Sequence, residues 1–308
     1  MTDDTGPFPS RPFNPPTDMQ PLLDLVTAAN GDARHPGQWH VGDVRWQMFR
    51  SDTFDPAANI RLWSDDAGLL GFAWRDTGVS ATLQLHPRAY DDAALEEAML
   101  TWITAEWSVP GDDGATHAFT TYALETDARR IALLHRHGFV RTDTYVLRVM
   151  HRDLDTPIPD VPLPPGTMIR PLADDTEIPE RVALHREVWT GSQVTRDSYA
   201  RMRRVPGYLP DLDIVAVMPD GAFASYCICW LDPANRTGEF EPVGTRAAYR
   251  RQGIGKAVVY EGLRRLKAHG AQTAIVYSHG GNEASLALYT SAGFRVVNQE
   301  FAFERTWE

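Results

Sequence analysis

Short alternating runs of apolar residues give way, along the second half of the chain, to longer runs at helical spacing. Ile214 to Met218 and Phe223 to Leu231 predict strands around the turn Pro219-Asp220-Gly221, and Glu239 to Thr245 predicts a third. Ala257, Val258, Leu263, Leu266 and Ala268 recur at helical intervals over 253–269, and Gly270 stops that helix. Thr273 to Tyr277 reads as a buried strand, Glu283 to Ser291 as a helix and 294–304 as an extended tail. Upstream, Met168 to Leu172 is a short strand, and 175–187 and 195–205 are helices, the second ended by Pro206-Gly207. This order describes an α/β (α+β) layer with helices packed on a sheet.

Prolines divide the chain. The start through Pro16 is rich in them, and five more fall between Asp153 and Gly166. Each removes a backbone donor and biases its predecessor away from helix, so no long helix or central strand runs through either stretch. The expected organisation is a flexible arm over 1–20, a first domain over 21–155, a linker over 156–165 and a second domain over 166–308.

Composition narrows the partners. With 43% hydrophobic and 23% charged residues in 308, the chain is globular rather than disordered. Thirty basic residues against forty-one acidic give a net charge of −11, which disfavours nucleic acid and anionic membranes. No apolar run approaches a membrane span, and the first twenty residues lack a basic segment followed by an apolar one. A soluble, cytoplasmic protein is expected. Cys227 and Cys229 share one face of a strand, a spacing poor for a disulfide, and no second pair completes a zinc site. Buried thiols and no metal are expected.

Two stretches carry chemistry. In Val243-Gly244-Thr245-Arg246-Ala247-Ala248-Tyr249-Arg250-Arg251-Gln252-Gly253-Ile254-Gly255-Lys256, a strand runs through a loop into a helix start. Gly253 and Gly255 let the backbone approach an anion, the first-turn N–H groups point at it, and Arg250, Arg251 and Lys256 add positive charge. The run lacks the Ser or Thr of a nucleoside-triphosphate loop and the third glycine of a dinucleotide fingerprint. In the second stretch, Asn282 N-caps a helix, Tyr289 lies two turns on along the same face, and Gly293-Phe294 ends it.

Arg250-Arg251-Gln252-Gly253-Ile254-Gly255 resembles the [RQ]-x-x-G-x-[GA] signature of the GCN5-related N-acetyltransferase (GNAT) superfamily. Asn282…Leu288-Tyr289…Gly293-Phe294 resembles its next block, in the same order and at agreeing spacing. The resemblance covers roughly residues 166–308. It implies a mixed, mostly antiparallel central sheet flanked by helices, with acetyl-coenzyme A as co-substrate and no metal. Val243 and Thr245 would pair with the pantetheine arm, and Arg250, Arg251, Gly253, Ile254, Gly255 and Lys256 would cradle the pyrophosphate. Asn282 would meet the pantetheine, and Tyr289 would protonate the departing thiolate. Glu239 and Glu241 alternate on one strand face, and either would serve as general base. Pro242 implies that this strand is bulged or at an edge.

The first half repeats the plan in worn form. Leu133-Leu134-His135-Arg136-His137-Gly138-Phe139 is similar to Leu288-Tyr289-Thr290-Ser291-Ala292-Gly293-Phe294, with Leu134 in place of Tyr289 and Asp127 in place of Asn282. After Leu83 to Tyr90, however, come Asp91-Asp92-Ala93-Ala94-Leu95-Glu96-Glu97, with carboxylates and no glycines where a cradle would lie. The expectation is a tandem pair of GNAT-like modules, the first degenerate and the second catalytic, in a monomer or homodimer. It would transfer an acetyl group directly to a small-molecule primary amine. A coenzyme A-binding regulatory module and an enzyme using a longer acyl group are the alternatives. Trp63, Trp74 and Trp189 are candidates for an acceptor wall, against the plainer reading of each as core.

Overall fold

The computed structural model describes residues 8–34, 37–75, 78–110 and 117–308. The chain begins with β1 (Ser10–Pro12), α1 (Pro15–Gly31), α2 (Val41–Phe49), α3 (Pro56–Asn59), β2 (Ile60–Asp65) and β3 (Gly68–Arg75). It continues through β4 (Ser80–Leu85), α4 (Ala93–Trp107), β5 (Val109–Pro110), β6 (His117–Leu124), α5 (Ala128–Arg136) and β7 (Val140–Asp153). Then come β8 (Met168–Pro171), α6 (Ile178–Val188), α7 (Arg196–Met202), β9 (Asp213–Val217) and β10 (Phe223–Asp232). The last elements are β11 (Thr237–Thr245), α8 (Ile254–Ala268), β12 (Thr273–His279), α9 (Glu283–Ser291) and β13 (Arg295–Trp307).

Two compact units result, and neither is contiguous in sequence. The first holds the residues up to His40, Asp55–Arg148 and Asn298–Glu308; the second holds Val41–Phe54 and Val149–Val297. A division along the chain at the prolines assigns 41–54, 149–155 and 298–308 the other way. Packing regroups them. Trp46 lies in a cluster with Leu172, Ile178, Tyr226 and Trp230. Phe301 and Phe303 lie with Phe119, Leu133 and Phe139.

In the first unit the strand order is β1-β2-β3-β4-β6-β13, with β5 also on β6. The β4–β6 pair is parallel and the others are antiparallel. Leu95, Met99, Leu100 and Ile103 of α4 pack in one cluster with Leu83, Leu85 and Phe119, the face that their spacing predicts. Residues 8–20 are not a loose arm, and 1–7 lie outside the described residues. β1 pairs with β2 from Ser10↔Trp63 to Pro12↔Arg61, and Phe13 is buried. Prolines stand at the first positions of α1, where their fixed φ suits a helix start.

The second unit runs β8-β9-β10-β11-β12, antiparallel except for the parallel β11–β12 pair. Val258, Leu263 and Leu266 of α8 share a cluster with Cys227, Cys229 and Phe240, and the two sulfurs are 4.0 Å apart. On the opposite face Val182, Leu184 and Tyr199 of α6 and α7 pack with Tyr226, Ile228 and Trp230. Strand alternation thus sorts β10 between two layers, cysteines to one and aromatics to the other. Helix α6 starts at Ile178, three residues later than predicted, because 175–177 form a 3₁₀ turn capped by Asp174. The proline-rich stretch lies along α8, where Arg264 donates to Pro159 O at 2.9 Å and pairs with Asp160 at 2.8 Å. Both units are therefore mixed, mostly antiparallel sheets flanked by helices, the α/β class expected. Among the described residues no helix is long and apolar enough to cross a membrane.

Candidate active site

Strands β11 and β12 pair only from Thr237↔Thr273 to Glu239↔Ile275, yet run on to Thr245 and His279. Beyond Glu239 the two strands separate. On its other side β11 pairs with β10 through a bulge, with Cys229 opposite Phe240 and Cys227 opposite Val243. Ile228 alone faces Glu241 and Pro242, and Trp230 Nε1 donates to Glu241 O at 2.7 Å. Of the two placements that Pro242 allows, the strand is bulged and interior.

At the end of β11 the chain makes a 3₁₀ turn over Ala247–Tyr249 and enters α8 through Gly253. Arg251 and Gly253 have φ of 62° and 81°. No side chain caps α8, so the N–H groups of Ile254, Gly255 and Lys256 face outward from the helix start. A Cβ on Gly255 would stand 2.7 Å from Thr245 Oγ1, so glycine is what brings this helix start against the strand end. Thr245 Oγ1 is 2.8 Å from Ser225 Oγ, which donates to Gly244 O. Arg250 Nε donates to Thr245 O at 3.1 Å, and Arg251 is exposed. Lys256 Nζ lies 5.4 Å from the Tyr260 ring centre. Ile254 has its side chain in the core, leaving only its backbone for an anion, and Val243 packs against that core.

The first unit differs at the matching places. Asp92 caps α4 with its own carboxylate, accepting from Ala94 and Leu95 N–H at 3.1 Å. β4 and β6 also separate early, after Ala81↔Thr121. There buried Arg130 donates to Leu83 O at 2.7 Å and to Glu96 at 2.6 Å.

Asn282 caps α9 by accepting from Ser285 N–H at 3.0 Å. Tyr289 is buried and meets Phe294 edge-on, with ring centres 5.8 Å apart. Burial raises its hydroxyl pKa, and the charge of Glu241 raises it further. The tyrosine of α9 and the glutamate of the β11 bulge therefore stand within electrostatic reach of each other. Glu239 is fully buried, which drives its pKa well up, with Glu241 adding to the shift. Glu241, half-buried, is pushed up to about 8 by burial and by Asp43, while Arg50 pulls it down.

Asp43 and Arg50 carry no signal in the sequence pattern, because nearly two hundred residues separate them from β11. A second unforeseen group is His185, 2.7 Å from Tyr226 Oη and 2.9 Å from Ser192 Oγ. Burial and Arg181 hold its pKa down to about 3, so it is neutral. The strand alternation that puts Tyr226 opposite the cysteines was the only available hint. Trp189 is 41% exposed and stacks on His185, whereas Trp63 and Trp74 are core residues of the first unit. Among the described residues no group of three or more His, Cys, Asp or Glu side chains is placed to hold a metal ion.

A parallel pair that splays beside an uncapped, glycine-bearing helix start is an α/β arrangement whose exposed backbone N–H groups can receive an anion. Residues 182–294 match the acetyltransferase (GNAT) family. Over 81% of its length the chain is 26% identical to a mycothiol acetyltransferase of Saccharopolyspora erythraea, covering 86% of that protein. It is 25% identical to the mycothiol acetyltransferase of Streptomyces coelicolor, with 96% of each chain covered. A GCN5-related N-acetyltransferase from Sphaerobacter thermophilus superposes with a TM-score of 0.65 at 19% identity, covering 97% of this chain and 95% of that one. A tandem GNAT protein from the clavulanic acid biosynthesis pathway gives 0.63 at 17%, covering 97% and 98%. These two structures share the fold over 97% of this chain.

Proposed function

We propose that the protein is an acetyl-coenzyme A-dependent N-acetyltransferase that acts on a small-molecule primary amine by direct transfer. The observation that carries this reading is the early end of the parallel β11–β12 pair at Glu239↔Ile275, with the uncapped, glycine-bearing start of α8 held against the end of β11. The glycines fit an anionic coenzyme: a side chain at Gly255 would fill the approach to Thr245. Backbone N–H groups of 254–256, with Arg250, Arg251 and Lys256, would hold its pyrophosphate. Val243, Thr245 and Asn282 would align its arm. Acetyl-coenzyme A supplies the thioester whose acetyl group is transferred.

The chain's own residues then manage protons. Glu241, with its pKa near 8 and its partial exposure, is the group suited to accept the amine proton. Tyr289 keeps its proton at neutral pH and holds it for the leaving sulfur. The likeness to mycothiol acetyltransferases makes the amine precursor of mycothiol the first acceptor to test. A thiol-release assay over that precursor, amino sugars, polyamines, amino acids and peptide amines tests the reading. Acetyl-coenzyme A binding with no turnover on any amine would favour a regulatory module instead.

A further inference from the structure

The two glutamates of β11 have different neighbours. Glu239 is 0% exposed and lies against the start of α2. A Cβ on Gly42 would stand 2.1 Å from Glu239 Oε2 and 2.7 Å from Trp230 Cβ, so only glycine lets the helix come this close. Asp43 hydrogen-bonds Glu239 through its backbone and its side chain. Two carboxylates offer only acceptors, so a side-chain bond between them requires one shared proton. A buried carboxyl tied into that shared proton is not open to collect another from a substrate amine.

The rest of 41–54 is fixed to the same unit. Arg45 Nε donates to Pro206 O at 3.1 Å, Trp46 meets His185 edge-on with ring centres 5.4 Å apart, and Asp52 takes Arg201 at 2.6 Å. Asp43 and Arg50 both act on Glu241, with opposite sign.

We propose that Glu239 is a positioning residue: it clasps segment 41–54 onto β11 and thereby sets Asp43 and Arg50 around Glu241. This rests on the reading of Glu241 as the base. The amide oxygen of Glu239→Gln can stand at the position of Oε2, the oxygen that faces α2, and still accept from Asp43 N–H. Glu239→Ala can make no such bond. Gly42→Ala pushes the segment away while leaving both carboxyl groups in place.

The three variants are compared by acceptor kinetics, acetyl-coenzyme A calorimetry and amide hydrogen exchange over 41–54. Glu239→Gln should keep kcat and acceptor KM within about threefold of the parent, whereas Glu239→Ala and Gly42→Ala should raise acceptor KM about tenfold or more. Coenzyme affinity should stay unchanged in all three, and exchange over 41–54 should quicken in the two alanine variants alone. A fall in kcat of about 10²–10⁴-fold in Glu239→Gln would make Glu239 the base and overturn the clasp. So would unchanged exchange over 41–54 in both alanine variants. If the parent shows no acetyl-coenzyme A binding, the functional reading fails, and hydrogen exchange still decides the clasp.

Discussion

Gly255 stands so close to Thr245 that a Cβ on it would lie 2.7 Å from the threonine Oγ1. The start of α8 and the end of β11 are held at the separation that a bare backbone allows. Gly255→Ala should therefore weaken acetyl-coenzyme A binding about tenfold or more and lower stability by about 1–3 kcal/mol, as overpacking does. Calorimetry and thermal melting measure the two effects, and unchanged affinity would remove Gly255 from the cradle. Gly253→Asp is a blunter probe. Its φ of 81°, and a Cβ that would stand 3.1 Å from Val161 Cγ1, add strain to the charge.

Tyr289→Phe removes one oxygen from a buried ring that still packs on Phe294. The fold and coenzyme affinity should hold, while single-turnover acetyl transfer should fall about 10²–10⁴-fold. Parental single-turnover kinetics in the folded variant would leave Tyr289 a packing residue.

Glu241 must be deprotonated to accept a proton, so kcat/KM should fall as pH drops below its pKa of about 8. Asp43 raises that pKa and Arg50 lowers it, and Glu239, Tyr226 and Tyr289 are further titratable groups within reach. Asp43→Asn removes a negative charge, and the acid limb should move to lower pH. The same shift bears on stability. Between an unfolded glutamate's pKa of about 4.3 and the folded value, the native state binds the extra proton, so Glu241's contribution is lost as pH rises through that window. An acid limb that ignores both Asp43→Asn and Glu241→Gln would assign the base elsewhere.

One acetyl-coenzyme A should bind per chain. In the first unit Asp92 occupies the helix start with its own carboxylate, and Arg130 bonds the Leu83 carbonyl where β4 leaves β6. A calorimetric stoichiometry near two would show that neither group closes that cleft.

Local patterns determined much of this protein. Asn282 and Gly293 bound a helix that runs from Glu283 to Ser291, and Gly270 ends another at Ala268, because caps and stops act within a turn of their own residue. The alternation of β10 predicts that Cys227 and Cys229 share a face, and Pro242 predicts a bulged or edge strand, of which the bulge forms, since both follow from backbone geometry along one strand. The glycine-bearing loop and Tyr289 are legible for the same reason. What covers a face is another matter. Alternation puts Glu239 and Glu241 on one side of β11 and treats them alike. Only the packing of α2, from nearly two hundred residues earlier, buries the first against Gly42 and Asp43 and leaves the second half-open at the splay. Likewise β13 reads as a terminal extended segment, and its pairing with β6 from Glu300↔Leu124 to Trp307↔His117 is settled by the apolar cluster that Phe301 and Phe303 complete. Burial depends on elements distant in sequence, and no periodicity along a single segment records which of them will arrive.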